Sequence, residues 1–225
     1  MMQRYKSFTG YFISRYGTRL QKVVVDAGFS CPNRDGTTGT GGCTYCDNRA
    51  FHPGYSTPDK SLTLQIDEGI EFHRVRYRKA GGYLAYFQPY SNTHAPLEDL
   101  RRIYKPALED PRISGIVVAT RPDCIDARKL KYFRDLSLEK IVILEYGVES
   151  CYNRTLQRIN RCHTWEQSAA AIRDTAALGI HTCVHMIFGL PGESREEMLS
   201  EAGILSRLPL TSLKLHQLQI VKGTP

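Results

Sequence analysis

What most constrains this chain is a regular alternation. Short apolar runs of strand character are separated by stretches of helical periodicity, and no Asn-Gly or Asp-Gly pair joins two adjacent runs in a tight turn. The runs are Val23–Val25, Tyr83–Gln88, Ile116–Ala119, Ile141–Tyr146, His181–Phe188 and Leu213–Val221, and the one Asp-Gly pair, Asp35-Gly36, lies in a long connection and closes no hairpin between neighbouring runs. Between them apolar residues recur three and four apart: Ile66, Ile70 and Tyr77; then Leu97, Leu100, Tyr104 and Leu108; then Leu130, Phe133 and Leu136. Thr164 with Gln167, and Ser194 with Glu197, have the spacing of capping boxes, and Gly81-Gly82 and Gly179 are expected to end helices. Strands without hairpins must cross over to parallel neighbours. The fold class is therefore α/β with a parallel sheet, either an open doubly wound sheet or a (β/α)6 partial TIM barrel.

The fourth strand leans towards the barrel. Ile141, Ile143, Glu145, Gly147 and Glu149 share one face, which turns polar towards the carboxyl end, while Val142, Leu144, Tyr146 and Val148 share the other. In the sixth strand Lys214 and His216 lie opposite Leu213 and Leu215. Outer helices and a cavity at the carboxyl ends of the strands account for both. At 225 residues, 41% hydrophobic and 24% charged, the chain is expected to form one domain over 1–225. The final Lys222-Gly223-Thr224-Pro225 follows an apolar run with no closing helix, so a C-terminal extension is expected to be missing. No apolar run is long enough for a membrane helix and none follows the first residues, which predicts a cytoplasmic protein without a membrane partner.

Seven cysteines, an odd number in a chain of this size, favour reduced thiols or a metal site over disulfides. Three of them cluster in CPNRDGTTGTGGCTYC, with eleven residues between Cys31 and Cys43 and two between Cys43 and Cys46. Three thiolates can hold an iron–sulfur cluster while leaving one iron without a cysteine, and an open metal position admits substrate or cofactor. Structural zinc with His52 as fourth ligand is the alternative.

In its motifs the chain resembles the radical S-adenosylmethionine (radical SAM) superfamily. The resemblance is strongest to the subgroup related to the radical SAM domain of the elongator catalytic subunit, and weaker to oxygen-independent coproporphyrinogen oxidase. It covers about residue 20 to the end. Tyr45 before Cys46 matches the family's C-x-aromatic-C ending, and FQPYSNT, TRPDC, GVES, INRCHT and GLPGE follow in order. The common C-x-x-x-C-x-x-C spacing is replaced by the long first gap found in the elongator-like branch. FQPYSNT stands where the family has a Gly-Gly-Glu turn.

The resemblance implies a [4Fe-4S] cluster on Cys31, Cys43 and Cys46 whose open iron binds S-adenosylmethionine, reductive cleavage to a 5′-deoxyadenosyl radical, and an electron donor such as flavodoxin or ferredoxin. It further implies Glu149 on the ribose hydroxyls, Arg161 on the SAM carboxylate, His185 on ribose or adenine, and Gly189 and Gly192 beside the adenine. Gln88, Ser91, Asn92, Thr120 and Arg121 end the second and third strands and are expected to contact SAM or substrate. Cys124 and Cys151, just beyond strand ends, are candidate hydrogen donors to a substrate radical, with buried packing as the alternative. The leading expectation for the substrate is a tRNA base, a wobble uridine side chain; the alternatives are a small metabolite such as a porphyrin, and a zinc-stabilised binding module without turnover. A net charge of +7, with basic residues at His73–Lys79, Arg101-Arg102 and Arg128-Lys129-Lys131, suits a polyanion as well as it suits a solvated outer face.

Overall fold

The computed structural model describes residues 5–47, 50–77 and 80–224. Arg78 and Lys79 of the basic stretch, the Arg76 side chain and Met1–Arg4 lie outside the described residues. Six parallel strands, β1 (Arg19–Val25), β2 (Ala80–Phe87), β3 (Ile113–Thr120), β4 (Ile141–Glu149), β5 (His181–Phe188) and β6 (Ser212–Gln217), lie in the order β1-β2-β3-β4-β5-β6. A doubly wound sheet reverses its strand order at a switch point. Here each strand pairs with the next, and right-handed crossovers then place every connecting helix on one side, so the sheet curls into a partial TIM barrel.

The helices are α1 (Phe8–Tyr16), α2 (Leu62–Arg76), α3 (Leu97–Glu109), α4 (Ala127–Leu136), α5 (Asn153–Arg158), α6 (Trp165–Ala177) and α7 (Arg195–Leu205). Both capping boxes form: Thr164 and Gln167 bond reciprocally at the start of α6, and Ser194 and Glu197 do so at α7. Between sheet and helices lies the main core, where Val142, Leu144, Tyr146 and Val148 of β4 pack with Leu100 and Tyr104 of α3, Phe133 of α4 and Ile172 of α6. A second apolar cluster fills the amino-terminal end of the barrel interior, where Leu20, Leu84, Val117, Ile143 and Cys183 meet Phe12.

Phe12 comes from α1, a helix absent from the expected set. Ser7 caps it by accepting the Gly10 N–H at 3.1 Å, and it ends at Gly17 in the left-handed conformation. Two other expectations are corrected. Gly81 and Gly82 lie inside β2 instead of ending a helix, since the helix already ends at Arg76; a Cβ on Gly82 would come within 2.8 Å of Ser114 Oγ, so the close approach of β3 needs the glycine. The sixth strand stops at Gln217, because its partner β5 ends at Phe188 and Gly189 turns away at φ 90°. Among the described residues no helix is long and apolar enough to cross a membrane.

Candidate functional site

The carboxyl ends of the strands open into a cavity of about 400 Å³. Cys31, Cys43 and Cys46 all line it, and none is in a disulfide. The loop that carries them is short of regular structure and is held by side-chain amides. Asn160, itself in the left-handed conformation, donates to Gly42 O at 2.8 Å, Asn33 reaches back to Asn160 O, and Arg34 Nη2 bonds Cys46 O at 2.6 Å. The Cys46 amide closes a turn on Cys43 O at 3.1 Å, which puts the last two cysteines side by side. Burial pushes the Cys46 thiol up, and Arg34 works against that shift.

Arg161 sits behind this loop, almost fully buried. Its fork spreads over four partners: Nη1 lies 3.4 Å from the Cys43 sulfur, Nη2 donates to Gly147 O at 2.6 Å and pairs with Glu149 at 3.3 Å, and Nε donates to His163 Nε2 at 3.0 Å. His163 can accept that bond only when neutral. Burial, reinforced by the Arg161 charge, depresses its pKa to about 3. Glu149 ends β4 in the left-handed region at φ 72°, past a register shift, and this turns its carboxylate into the cavity. Gly147 makes the arrangement possible, since a Cβ there would lie 2.6 Å from both Arg161 Nη2 and Glu149 Oε1.

Of the other expected residues, Gln88, Thr120, Arg121 and His185 line the cavity. Ser91 and Asn92 are buried beneath it and join strand ends: Ser91 bonds Thr120 at 3.1 Å, and Asn92 donates to Phe87 O, Pro89 O and Ala119 O. Gly189 and Gly192 have left-handed φ values of 90° and 88° but lie outside the lining. So do Cys124 and Cys151, which pack as buried apolar groups; burial raises the Cys124 thiol to about 11. His52 is likewise outside the lining, with Nδ1 3.3 Å from Pro53 O, so the structure does not gather it with the three cysteines.

The residues present suit an iron–sulfur cluster and an amino acid ligand. Three free thiols share one cavity wall, and Arg121 Nη1 is buried without a hydrogen-bond partner although Nε and Nη2 hold Asp123 at 2.9 and 2.7 Å. An anionic group arriving in the cavity satisfies such a donor.

Sequence reasoning missed the cavity's lower half. Tyr86, Glu145, Lys214 and His216 line it beneath the strand ends. The alternation of β4 and β6 had put Glu145, Lys214 and His216 on the inner face, but only the strand register shows that they meet. Glu145 is 1% exposed; one oxygen pairs with Lys22 and the other with His185 Nε2 at 2.8 Å. The basic residues on the outer helices are partly neutralised. Arg74, Arg101, Arg102 and Lys129 each pair with a carboxylate three residues away, at distances of 3.1, 3.8, 2.8 and 3.6 Å.

Comparison with known proteins agrees with this geometry. The chain is 35% identical over 228 residues to Bacillus subtilis YtqA, covering 99% of this chain and 69% of the relative. A Methanocaldococcus infernus tRNA uridine(34) acetyltransferase is 25% identical over 131 residues, 57% of this chain and 24% of its own length. Among solved structures, archaeal Elp3 from Methanocaldococcus infernus superposes with a TM-score of 0.62 at 17% identity, covering 91% of this chain. The chain spans 47% of that Elp3 chain. The model of the radical SAM superfamily matches residues 35–202, and this chain belongs to that superfamily, whose members use a [4Fe-4S] cluster and S-adenosylmethionine.

Proposed function

We propose that Cys31, Cys43 and Cys46 hold the [4Fe-4S] cluster, that Glu149, Arg161 and the neighbouring strand ends hold S-adenosylmethionine, and that the substrate is a base of tRNA. The carrying observation is the convergence of three free thiols, Arg161 and Glu149 on one cavity at the strand ends, although they come from sequence positions up to 130 residues apart (161 − 31 = 130). When bound, cluster and SAM supply one-electron cleavage chemistry and hydrogen-atom abstraction. This chain's own residues bind and orient. Glu149 offers a carboxylate for two adjacent hydroxyls, and Arg161 sets the charge beside Cys43. Arg121 holds a free N–H for an anionic group, and Tyr86 and Ile187 wall the cavity against water. A flavodoxin or ferredoxin is the expected electron donor.

The tRNA reading is supported by similarity to a protein named tRNA uridine(34) acetyltransferase and by the net charge of +7. Two measurements test the proposal. Anaerobic reconstitution should give about four irons per chain and, with reductant and SAM, 5′-deoxyadenosine; a chain that takes up zinc but no iron refutes the cluster assignment. Nucleoside analysis of tRNA from cells with and without the gene should show one modified nucleoside lost, and identical profiles refute the tRNA substrate.

A further inference from the structure

Below the cysteine loop the barrel interior carries a polar layer that, His185 apart, the cluster and SAM assignments leave unused. Lys22 of β1, Tyr86 of β2, Glu145 of β4, His185 of β5 and Lys214 of β6 project into the same space, just above the apolar cluster capped by Phe12. His185 and Lys214 are register partners across β5 and β6. Lys214 Nζ reaches across the half-barrel to donate to the Tyr86 hydroxyl at 3.3 Å, and the two ammonium groups lie 4.6 and 5.3 Å from the Tyr86 ring centroid.

The charges in this layer do not balance. Glu145 gives one oxygen to Lys22 and the other to His185, while Lys214 donates to the Tyr86 hydroxyl instead. Among the described residues Lys214 has no carboxylate within ion-pair distance. Tyr86 supplies no negative charge either, because burial and then Glu145 hold its hydroxyl firmly protonated. Two ammonium groups therefore face one carboxylate before any histidine is counted. Burial lowers the Lys214 pKa, and the Glu145 charge only partly offsets that shift. An ammonium kept half-buried without an anion is costly, and an anion from outside relieves the cost.

We infer that Lys214, with Tyr86 and His216 beside it, is the docking point for a carboxylate on the substrate, at the floor of the cavity and below the cysteine loop. This rests on the proposal that the cavity is the site of turnover, and it adds the chemical class of the group that enters it. A carboxylate suits better than a phosphate monoester because, with the histidines uncounted, the excess is one positive charge and a monoester brings nearly two negative ones. A metal ion does not suit the layer. Glu145, Cys183 and His185 present donor atoms within 4.8 Å of one another, but Lys22 already occupies the carboxylate, and burial raises the Cys183 thiol to about 12. Anchoring the acid at the floor leaves the rest of the substrate pointing up towards the three thiols.

The test uses calorimetric titration of the chain, with and without reconstituted iron, against butyrate, its uncharged isostere butyramide, and inorganic phosphate. Butyrate should bind and butyramide should not. Lys214→Met should weaken butyrate about tenfold or more, Lys214→Arg should retain most of the affinity, and both variants should take up iron like the parent. Equal binding of butyrate and butyramide, tighter binding of phosphate, no binding of butyrate, or a Lys214→Met affinity matching the parent each overturns the inference. If Lys214→Met fails to fold, the butyrate and butyramide comparison on the parent chain and the Lys214→Arg variant still decide it. The iron measurement keeps the two failures apart. A chain without iron that binds butyrate through Lys214 sinks the cluster assignment alone, and an iron-loaded chain indifferent to butyrate sinks the carboxylate site alone.

Discussion

Gly147 shows how much of this site depends on a missing side chain. A methyl group there would overlap Arg161 Nη2 and Glu149 Oε1, each at 2.6 Å, so Gly147→Ala should separate the pair. We expect a loss of about 1–3 kcal/mol in urea unfolding together with weaker SAM binding. Arg161→Lys keeps a positive charge but cannot reach Gly147 O, His163, Glu149 and Cys43 at once. SAM affinity measured by calorimetry should fall about tenfold, and unchanged affinity would show that charge alone matters. Glu149→Gln should leave iron content intact and weaken SAM binding. Glu149 and Arg161 were legible because each stands in a motif, GVES and INRCHT, with a recognisable spacing. The unpartnered Arg121 Nη1 and the requirement for glycine at 147 were not, because both exist only once residues distant in sequence meet.

Strands and capped helices could be read from the chain because period and capping chemistry are local. Helix α1 could have been: Phe8, Tyr11 and Phe12 recur at helical spacing, and Ser7 and Gly17 bracket them, but its nine residues are too few for periodicity to outweigh their aromatic, strand-like character. Its stability comes from the barrel. Phe12→Ala should cost about 3–5 kcal/mol by chemical denaturation, since the ring is fully buried against Leu20, Leu84, Val117 and Ile143. At the other end of the sheet, Glu201 of α7 ties down the turn after β4 by accepting the Cys151 N–H at 2.8 Å. Burial raises its pKa to about 7. Glu201→Gln keeps an acceptor and removes the burden of a buried charge, so it should be neutral or stabilising at pH 8. Glu201→Ala leaves the Cys151 N–H unpaired and should cost about 1–3 kcal/mol.

For the whole molecule these groups set a pH dependence with a definite sign. His163 and His181 have folded pKa values depressed to about 3 and 4 from 6.5, in each case by burial first, so the unfolded chain takes up their protons earlier as pH falls. Their contribution is complete above about 6.5 and is lost towards 3 to 4. Glu201 works the other way: its folded proton stabilises below 4.5 and that benefit disappears as pH rises through 7. His216, also depressed to about 4 by burial first, acts like the other two histidines, so three groups against one between pH 4.5 and 6.5 should make the urea midpoint rise with pH across that window; a midpoint that falls there would contradict the depression of these histidines. The parallel α/β class was legible from alternation, and the polar inner face of β4 favoured the barrel over an open sheet. The charge imbalance in its interior was not, because it needs the distances between strands that are far apart in sequence.

A closed eight-stranded parallel barrel has an interior only wide enough to be filled by its own side chains. This sheet has six strands, and its inward residues are no smaller than those that plug closed barrels, with Tyr86, Glu145, Lys22 and Lys214 among them. Among the described residues the roughly 400 Å³ left for guests therefore goes with a six-stranded, unclosed sheet, not with whittled-down contents. Shortening these side chains would enlarge the vessel while removing what grips its cargo.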